Sequence, residues 1–251
     1  MDVSDSGRGV RLDARLVSDG SFESRARAQA AIRAGLVSVD GAVAVKPSMI
    51  VPPGVKIDIS GDVHDYVSRG GKKLVAALRA FDIAPTGKTC LDLGASTGGF
   101  TDVLLRTGAA RVYAVDVGCG QLHARLREDA RVISLENTHA RDLSPQLIPL
   151  AIDFLVCDVS FISLKKALPP ALALCRTGAL LVALVKPQFE VGRENIGKRG
   201  IVPEAAATAA ARDLEAWMRL QSGGSVYGCI DSPIRGGDGN REYLLGAVKD
   251  I

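Results

Sequence analysis

Four polar residues spread along this chain are of types that can manage a proton and a developing negative charge together. Lys73 sits in SRGGKKL, at or just before a helical pattern. Asp158 follows the apolar stretch IDFLVC, Lys186 follows ALLVALV, and Glu242 opens the last apolar stretch in GNREYL. Between Lys73 and Asp158 lies LDLGASTGGF, Leu91–Phe100, a short buried-strand pattern running into a glycine turn. Gly94 can take backbone angles closed to other residues, and Gly98 and Gly99 allow a ligand close to the backbone. FTDVLLR then has helical spacing, so a ligand at the turn meets a helix N-terminus. The following strand, Arg111–Val115, ends in Asp116. An acid there, about 20 residues on, can accept hydrogen bonds from ribose hydroxyls. GASTGG does not match the dinucleotide fingerprint G-x-G-x-x-G. Such a turn points to a nucleotide-type cofactor. Joined to two lysines and two carboxylates, it points to methyl transfer from S-adenosylmethionine to a hydroxyl of RNA.

Positioning these groups needs a sheet whose strand ends converge. From Val67 onward, strand and helix patterns alternate, which predicts an α/β fold with a mostly parallel sheet covered on both faces. Strands are expected at 89–93, 111–115, 132–135, 152–156, 179–185, 226–230 and 242–248. Helices are expected near 71–81, 98–107, 121–127, 163–174 and 204–220. Pro203 and Glu204 form a typical helix start. Seven strands ending in a hairpin suit a Rossmann-like methyltransferase sheet. Asp158 and Lys186 then fall at carboxyl ends of strands expected to neighbour the glycine-turn strand, the edge where open α/β sheets place their sites.

Composition shifts near residue 60. Residues 1–60 read as a separate small α+β domain, 61–66 as a linker, and 67–251 as the larger domain. In the first part, Arg11–Val17 and Ser24–Ala34 have helical spacing, with Ser24 as a possible N-cap and Gly35 as the stop. Leu36–Val39 and Ala42–Val45 flank Asp40-Gly41, a strong hairpin signal, and Val55–Ile59 supplies a further strand.

RLDARL, SRARAQAAIRAGLVSVDG and KPS make residues 1–60 resemble the S4 RNA-binding domain over nearly its whole length. That resemblance implies an RNA-binding role for Arg11 and Arg15, for Arg25, Arg27 and Arg33 on the second helix, and for Lys46. SRGGKKL, DLGASTGGF, CDVSFISL and VKPQFE as a set resemble the FtsJ-like ribose 2′-O-methyltransferases over roughly 67–251, and with the S4 domain in front the chain is similar to the TlyA-type group, also labelled haemolysin A. The resemblance implies a Lys-Asp-Lys-Glu catalytic set at Lys73, Asp158, Lys186 and Glu242. It also implies methylation of a cytidine 2′-hydroxyl in small- or large-subunit rRNA, or both.

The chemistry is consistent with that set. A ribose 2′-hydroxyl is a poor nucleophile, and attack on a sulfonium methyl needs in-line geometry and help with the proton. Lys186 could be the base or a cationic anchor for the developing alkoxide, with Asp158 and Glu242 orienting the lysines; residue types do not decide between the lysines. The spacing in SRGGKKL favours Lys73 over Lys72, and NREY favours Glu242 over Asp238. Asp92, Gly94, Ser96, Gly98, Gly99 and Phe100 are expected around the donor, with Asp116 on its ribose. Adenine is expected to meet one of Asn137, His139 and Asp142. Gln188–Val202, rich in glycine and charge, is either a substrate clamp using Arg193, Lys198 and Arg199 or an ordinary surface loop.

Composition excludes several classes. The net charge is +3, from 31 basic and 28 acidic residues, and residues 1–60 carry 8 basic and 7 acidic, net +1. RNA binding therefore has to come from local charge. Aromatics at 4% leave little for a stacking platform. Five scattered cysteines without a CxxC pair fit neither zinc nor disulfides, and no metal is expected, which suits a reduced, cytoplasmic protein. The N-terminus lacks an apolar signal region, and Ala179–Val185 falls far short of a membrane span of about 20 residues. A membrane-active haemolysin, a noncatalytic RNA-binding factor and an S4-bearing pseudouridine synthase remain as alternatives. The expected partners are ribosomal RNA or subunits, with no membrane, and a monomer is the default.

Overall fold

The structure, a computed structural model, describes residues 9–22, 24–33, 35–59, 66–223 and 225–250. The chain divides into two compact units, Met1–Asp65 and Tyr66–Ile251. The stretch expected to be a linker lies outside the described residues except for Tyr66.

In the first unit, β1 (Val10–Arg11) runs into α1 (Leu12–Ser18), followed by α2 (Arg25–Arg33), β2 (Val37–Val39), β3 (Ala42–Val43), β4 (Ile50–Val51) and β5 (Ile57–Ile59). Leu12, Leu16, Ala28 and Ile32 recur at helical spacing and form one core with Val37, Val39 and Val51. Ser24 Oγ accepts from Arg27 N, and Gly35 ends α2 with φ 71°. Asp40 and Gly41 both have positive φ, 50° and 81°, the geometry a two-residue hairpin requires. The β1–β4 ladder was not read from the sequence, because two-residue strands are too short to display a period.

The second unit contains α3 (Gly70–Ala80), β6 (Thr89–Leu93), α4 (Gly99–Arg106), β7 (Arg111–Val115), α5 (Ala124–Arg127), β8 (Val132–Leu135), β9 (Ile152–Cys157), α6 (Leu164–Ala173), β10 (Cys175–Val185), α7 (Glu204–Ser222), β11 (Val226–Asp231) and β12 (Tyr243–Lys249). Among the described residues seven strands form one sheet, in the order β11-β12-β10-β9-β6-β7-β8. β12 alone runs opposite to the other six strands. Side chains alternate between two cores, as the pleat demands. Leu91, Leu93, Leu155 and Leu181 join α6 and α7 on one face. Cys90, Val112, Phe154 and Val182 join α3, α4 and α5 on the other. Continuous apolar runs such as IDFLVC follow from burial on both faces.

Three sequence expectations are corrected. Helix α5 starts at Ala124 rather than 121, because Gly120 N and Gln121 N donate to the Glu136 carboxylate instead of entering a helix. Glu242 lies one residue before the last strand. Strand β10, which carries Lys186, pairs with β9 and β12 and not with the glycine-turn strand β6.

The chain runs from β6 outward through β7 and β8, then returns to β9 on the opposite side of β6. This reversal is the topological switch point, where the loops after β6 and β9 diverge and open a crevice. The two loops nonetheless touch at Gly94. Its φ is 89°, and a Cβ built there would lie 2.6 Å from the Asp158 carbonyl oxygen. Gly94→Ala is expected to cost about 1–3 kcal/mol of stability or more and to weaken donor binding. Chemical denaturation of the variant checks this, and an unchanged midpoint would contradict the close-approach argument.

Candidate active site

The four polar residues converge as two ion pairs. Lys186, just past β10, places Nζ 2.6 Å from Asp158 Oδ1, just past β9, and donates to Ser160 Oγ at 2.8 Å. Lys73, in the first turn of α3, donates to Glu242 Oε2 at 2.5 Å. That second pair is nearly closed to water, Lys73 being 8% and Glu242 3% exposed. Burial pushes the Glu242 carboxyl up and the bond from Lys73 pulls it down, with Asp158 and Lys186 also within electrostatic reach. Gly236 lets its loop cross directly over this carboxylate, since a Cβ there would lie 2.8 Å from Glu242 Oε1.

Two adjoining cavities meet at Gly94, Ser96, Asp158 and Ser160. The first, of about 280 Å³, is walled by Lys73, Lys186, Gly99 and Phe100, together with Arg69 and Arg235. The second, of about 570 Å³, holds Asp116 and His139 and is walled by Leu93, Val115, Val117 and Ile162. A carboxylate beside apolar walls is the donor set that a ribose diol and a flat base require, so the second cavity fits the nucleoside of S-adenosylmethionine. Asp116 is held in place by Ser96 N at 2.8 Å and Gly118 N at 2.7 Å, one bond to each oxygen. The remaining lone pairs are available to hydroxyls.

Other expected donor contacts move. Gly98 does not line either cavity; a Cβ there would strike Leu126 Cδ1 at 2.2 Å, so this glycine admits α5 instead of a ligand. Asp92 also lies off both linings, wholly buried, accepting from Thr101 Oγ1 at 2.6 Å. Its Oδ1 has no hydrogen-bond partner among the described residues, an open bonding position that suits a water or a cationic group. Of the three adenine candidates, only His139 lines the cavity. Asn137 forms a turn with φ 53°, and Asp142 is exposed beside Arg141.

Among the lining residues that the sequence reading missed are Ser160, Phe161, Arg69 and Arg235. Ser160 and Phe161 lie in SFIS directly after Asp158. Phe161 is 90% exposed with φ 64°, its ring 5.1 Å from that of Phe189. Arg69 and Arg235 flank the lysines, and neither meets a carboxylate among the described residues; Arg235 Nη1 donates only to Gly239 O. Adjacency to named motifs was the available signal for Ser160, Phe161 and Arg69. Arg235 carried none.

The loop after Lys186 is tied down at several points. Gln188 donates to Asp238, Glu190 accepts from Ser163 Oγ and Leu164 N, and Val202 N donates to buried Asn240. These ties join it to the loops bearing Asp158 and Glu242. Arg199 sits in it with φ 64°, and the side chains of Arg193 and Lys198 lie outside the described residues. In the first unit, Arg11 and Arg25 both bond Asp13, and Arg15 pairs with Asp19. Arg27 is half-buried on α2, and Arg33 and Lys46 are exposed.

A switch-point crevice with a donor-type cavity and a lysine–carboxylate cluster defines a Rossmann-like, S-adenosylmethionine-dependent methyltransferase. The FtsJ-like methyltransferase family matches residues 66–249, and the S4 domain matches residues 10–57. A 16S/23S rRNA (cytidine-2′-O)-methyltransferase TlyA of Mycobacterium tuberculosis is 46% identical, over 95% of this chain and 89% of its own. YqxC of Bacillus subtilis, named as a candidate rRNA methyltransferase, is 42% identical over 94% of this chain and 84% of its own. A solved structure of a candidate hemolysin from Streptococcus thermophilus is 41% identical with TM-score 0.75, over 97% of this chain and 89% of that one. The chain belongs to the FtsJ-like methyltransferase family, in the group that carries an S4 domain.

Two measurements test the electrostatics. Burial pushes the Asp92 carboxyl up to about 7. Between its ordinary value near 4 and that value, the folded state binds more protons than the unfolded state. Stability should therefore fall as pH rises through this window and level off above it. Asp92→Asn should flatten this component, seen as the difference between wild-type and variant denaturation across the window. Separately, Lys73→Ala strands the Glu242 carboxyl in the interior and should cost about 3–5 kcal/mol, while Lys73→Met with Glu242→Leu should recover much of it. Denaturant titration of both variants reads the difference.

Proposed function

We propose that the protein transfers a methyl group from S-adenosylmethionine to the 2′-hydroxyl of a cytidine in ribosomal RNA, in one subunit or both. It works as a cytoplasmic monomer on rRNA or on ribosomal subunits. The observation that carries this reading is the cavity where Lys186 meets Asp158 and Ser160. It holds a second lysine and two arginines, and it opens beside the cavity that suits the donor nucleoside.

S-adenosylmethionine, when bound, supplies an electrophilic methyl on sulfur. The chain supplies geometry and charge. Asp158 holds Lys186 Nζ as an ion pair, and Ser160 Oγ accepts one hydrogen bond from it. An N–H of Lys186 left over from these contacts faces the ribose oxygen and stabilises charge as it develops there, while the proton released by the hydroxyl passes to solvent. Lys73, held by Glu242, adds a second positive charge at fixed distance. Arg69 and Arg235 carry charge that no carboxylate of the described residues cancels, and they take the phosphates flanking the target ribose. Phe161 offers an exposed ring in the wall of the second cavity, next to Ser160, where the target base stacks. Asp116 takes the donor ribose and His139 contacts the adenine. Among the described residues no helix is long and apolar enough to cross a membrane, and no observation favours a membrane-active reading.

Labelled methyl transfer to isolated small subunits, large subunits and free rRNA tests the proposal. Wild type should label at least one of them at a ribose, and Lys186→Ala should lower the rate at least 10²-fold with donor binding retained. Phe161→Ala should raise KM for RNA by a larger factor than it raises the Kd for the donor. Label on a base, or full activity in Lys186→Ala, would refute the reading.

A further inference from the structure

The carboxylate of Asp13, in the first turn of α1, has a solvent exposure of 0%. It nevertheless gathers the ends of two surface arginines. Arg11 donates Nε to Oδ1 at 3.0 Å and Nη2 to Oδ2 at 2.9 Å, a two-pronged fork. Arg25 donates Nη2 to Oδ2 at 3.1 Å, and Gln29 donates Nε2 to the same oxygen at 2.7 Å. The arginine side chains remain 44% and 55% exposed. One buried anion thus anchors two half-exposed guanidinium groups from different elements.

A buried carboxylate is costly unless all its partners are in place. The tie between α1 and α2 is already made by Gln29, so helix packing alone does not call for two exposed arginines on the same group. Their geometry accounts for both. The fork leaves Arg11 Nη1 free of Asp13, and Arg25 keeps Nε and Nη1 free of it, while both side chains lose the rotamer freedom that binding would otherwise have to remove. Two positive charges over one negative leave a net positive pair at the surface. The opposite arrangement is seen at Arg15, which pairs with Asp19, an exposed acid at the C-cap of the same helix.

We propose that Asp13 is a positioning residue for RNA binding. It pre-sets Arg11 and Arg25 as a rigid pair that grips the phosphodiester backbone, without touching RNA itself. The proposal rests on the reading that the first unit binds rRNA through these arginines. It explains how a domain of net charge +1 can bind a polyanion: orientation substitutes for bulk charge.

Full-length protein and extracted, end-labelled rRNA in a filter-binding assay test it. Asp13→Asn should weaken binding about tenfold, with donor binding and the rate at saturating RNA unchanged. In an Arg11→Ala/Arg25→Ala background, adding Asp13→Asn should cause no further loss, whereas a merely structural role would still cost affinity there. Should Asp13→Asn fail to fold, Arg11→Lys serves instead, since it keeps the charge but cannot form the fork; it should lose most of what Arg11→Ala loses. Wild-type affinity in Arg11→Lys, or an Asp13→Asn loss that persists without the arginines, would overturn the proposal. Wild-type affinity in Arg11→Ala/Arg25→Ala would overturn the RNA-binding reading itself, and the proposal with it.

Discussion

Two ammonium groups share one cavity in this protein, and most of the site's construction follows from that. Like charges held out of water repel strongly, and each must be compensated where it sits. Lys73 and Lys186 are compensated separately, by Glu242 and Asp158, so neither has to turn away from the cavity to find a counter-ion. The compensating acids come from different strand ends, which ties the site to the sheet rather than to one flexible loop. Pairing leaves the lysines as located charges of known direction, which is what a transition state gaining negative charge on one oxygen requires.

The sheet supplies those strand ends through one reversal of order. Strands β6 and β9 are neighbours with parallel register, and their loops diverge above them. Gly94 is the point at which divergence is limited, because its missing side chain lets the β6 loop lie against the Asp158 carbonyl. The contact binds donor side and acceptor side together: the loop lining both cavities is pressed onto the residue that orients Lys186. Gly99 and Gly236 work in the same sense. One admits Ser68 and the start of α3, and with it Lys73; the other admits the loop covering Glu242. Absent side chains set the distances at which the charged ones meet.

Much of this was legible in the sequence. Strands such as TCLDL and RVYAV are short, apolar and bounded by turns, and the sheet places both where expected. The convergence of Lys73, Asp158, Lys186 and Glu242 was legible because each sits against a strand or helix boundary inside a distinctive motif. What escaped had a common cause, namely contacts between segments distant in the chain. Gly98 reads as a ligand-approach glycine until Leu126 is seen against it. Asp92 reads as a cavity-lining residue, whereas it lies buried off both linings with one oxygen taken by Thr101. The start of α5 is lost to Glu136, and Arg235 has nothing around it in the sequence to mark it. The β10 placement failed for a different reason: strand order in a doubly wound sheet is a property of topology, and residue pattern gives the strands without their sequence of neighbours.

Net charge was the least informative quantity, and the structure shows why. A chain with 31 basic and 28 acidic residues gives no sign of a nucleic-acid partner, because the two signs nearly balance overall, in part through surface pairs such as Arg131–Asp129 and Arg219–Glu215. What matters is which charges escape cancellation and how firmly they are held. In the larger unit these include Arg69 and Arg235, which meet no carboxylate among the described residues and stand beside two lysines that do. In the smaller unit they are Arg11 and Arg25, sharing one buried acid. In each case three or more charged groups are arranged so that a positive excess survives at one place with restricted freedom. A polyanion binding there displaces few internal partners and orders few side chains. Affinity then depends on the geometry of a few arginines, a quantity that no composition contains.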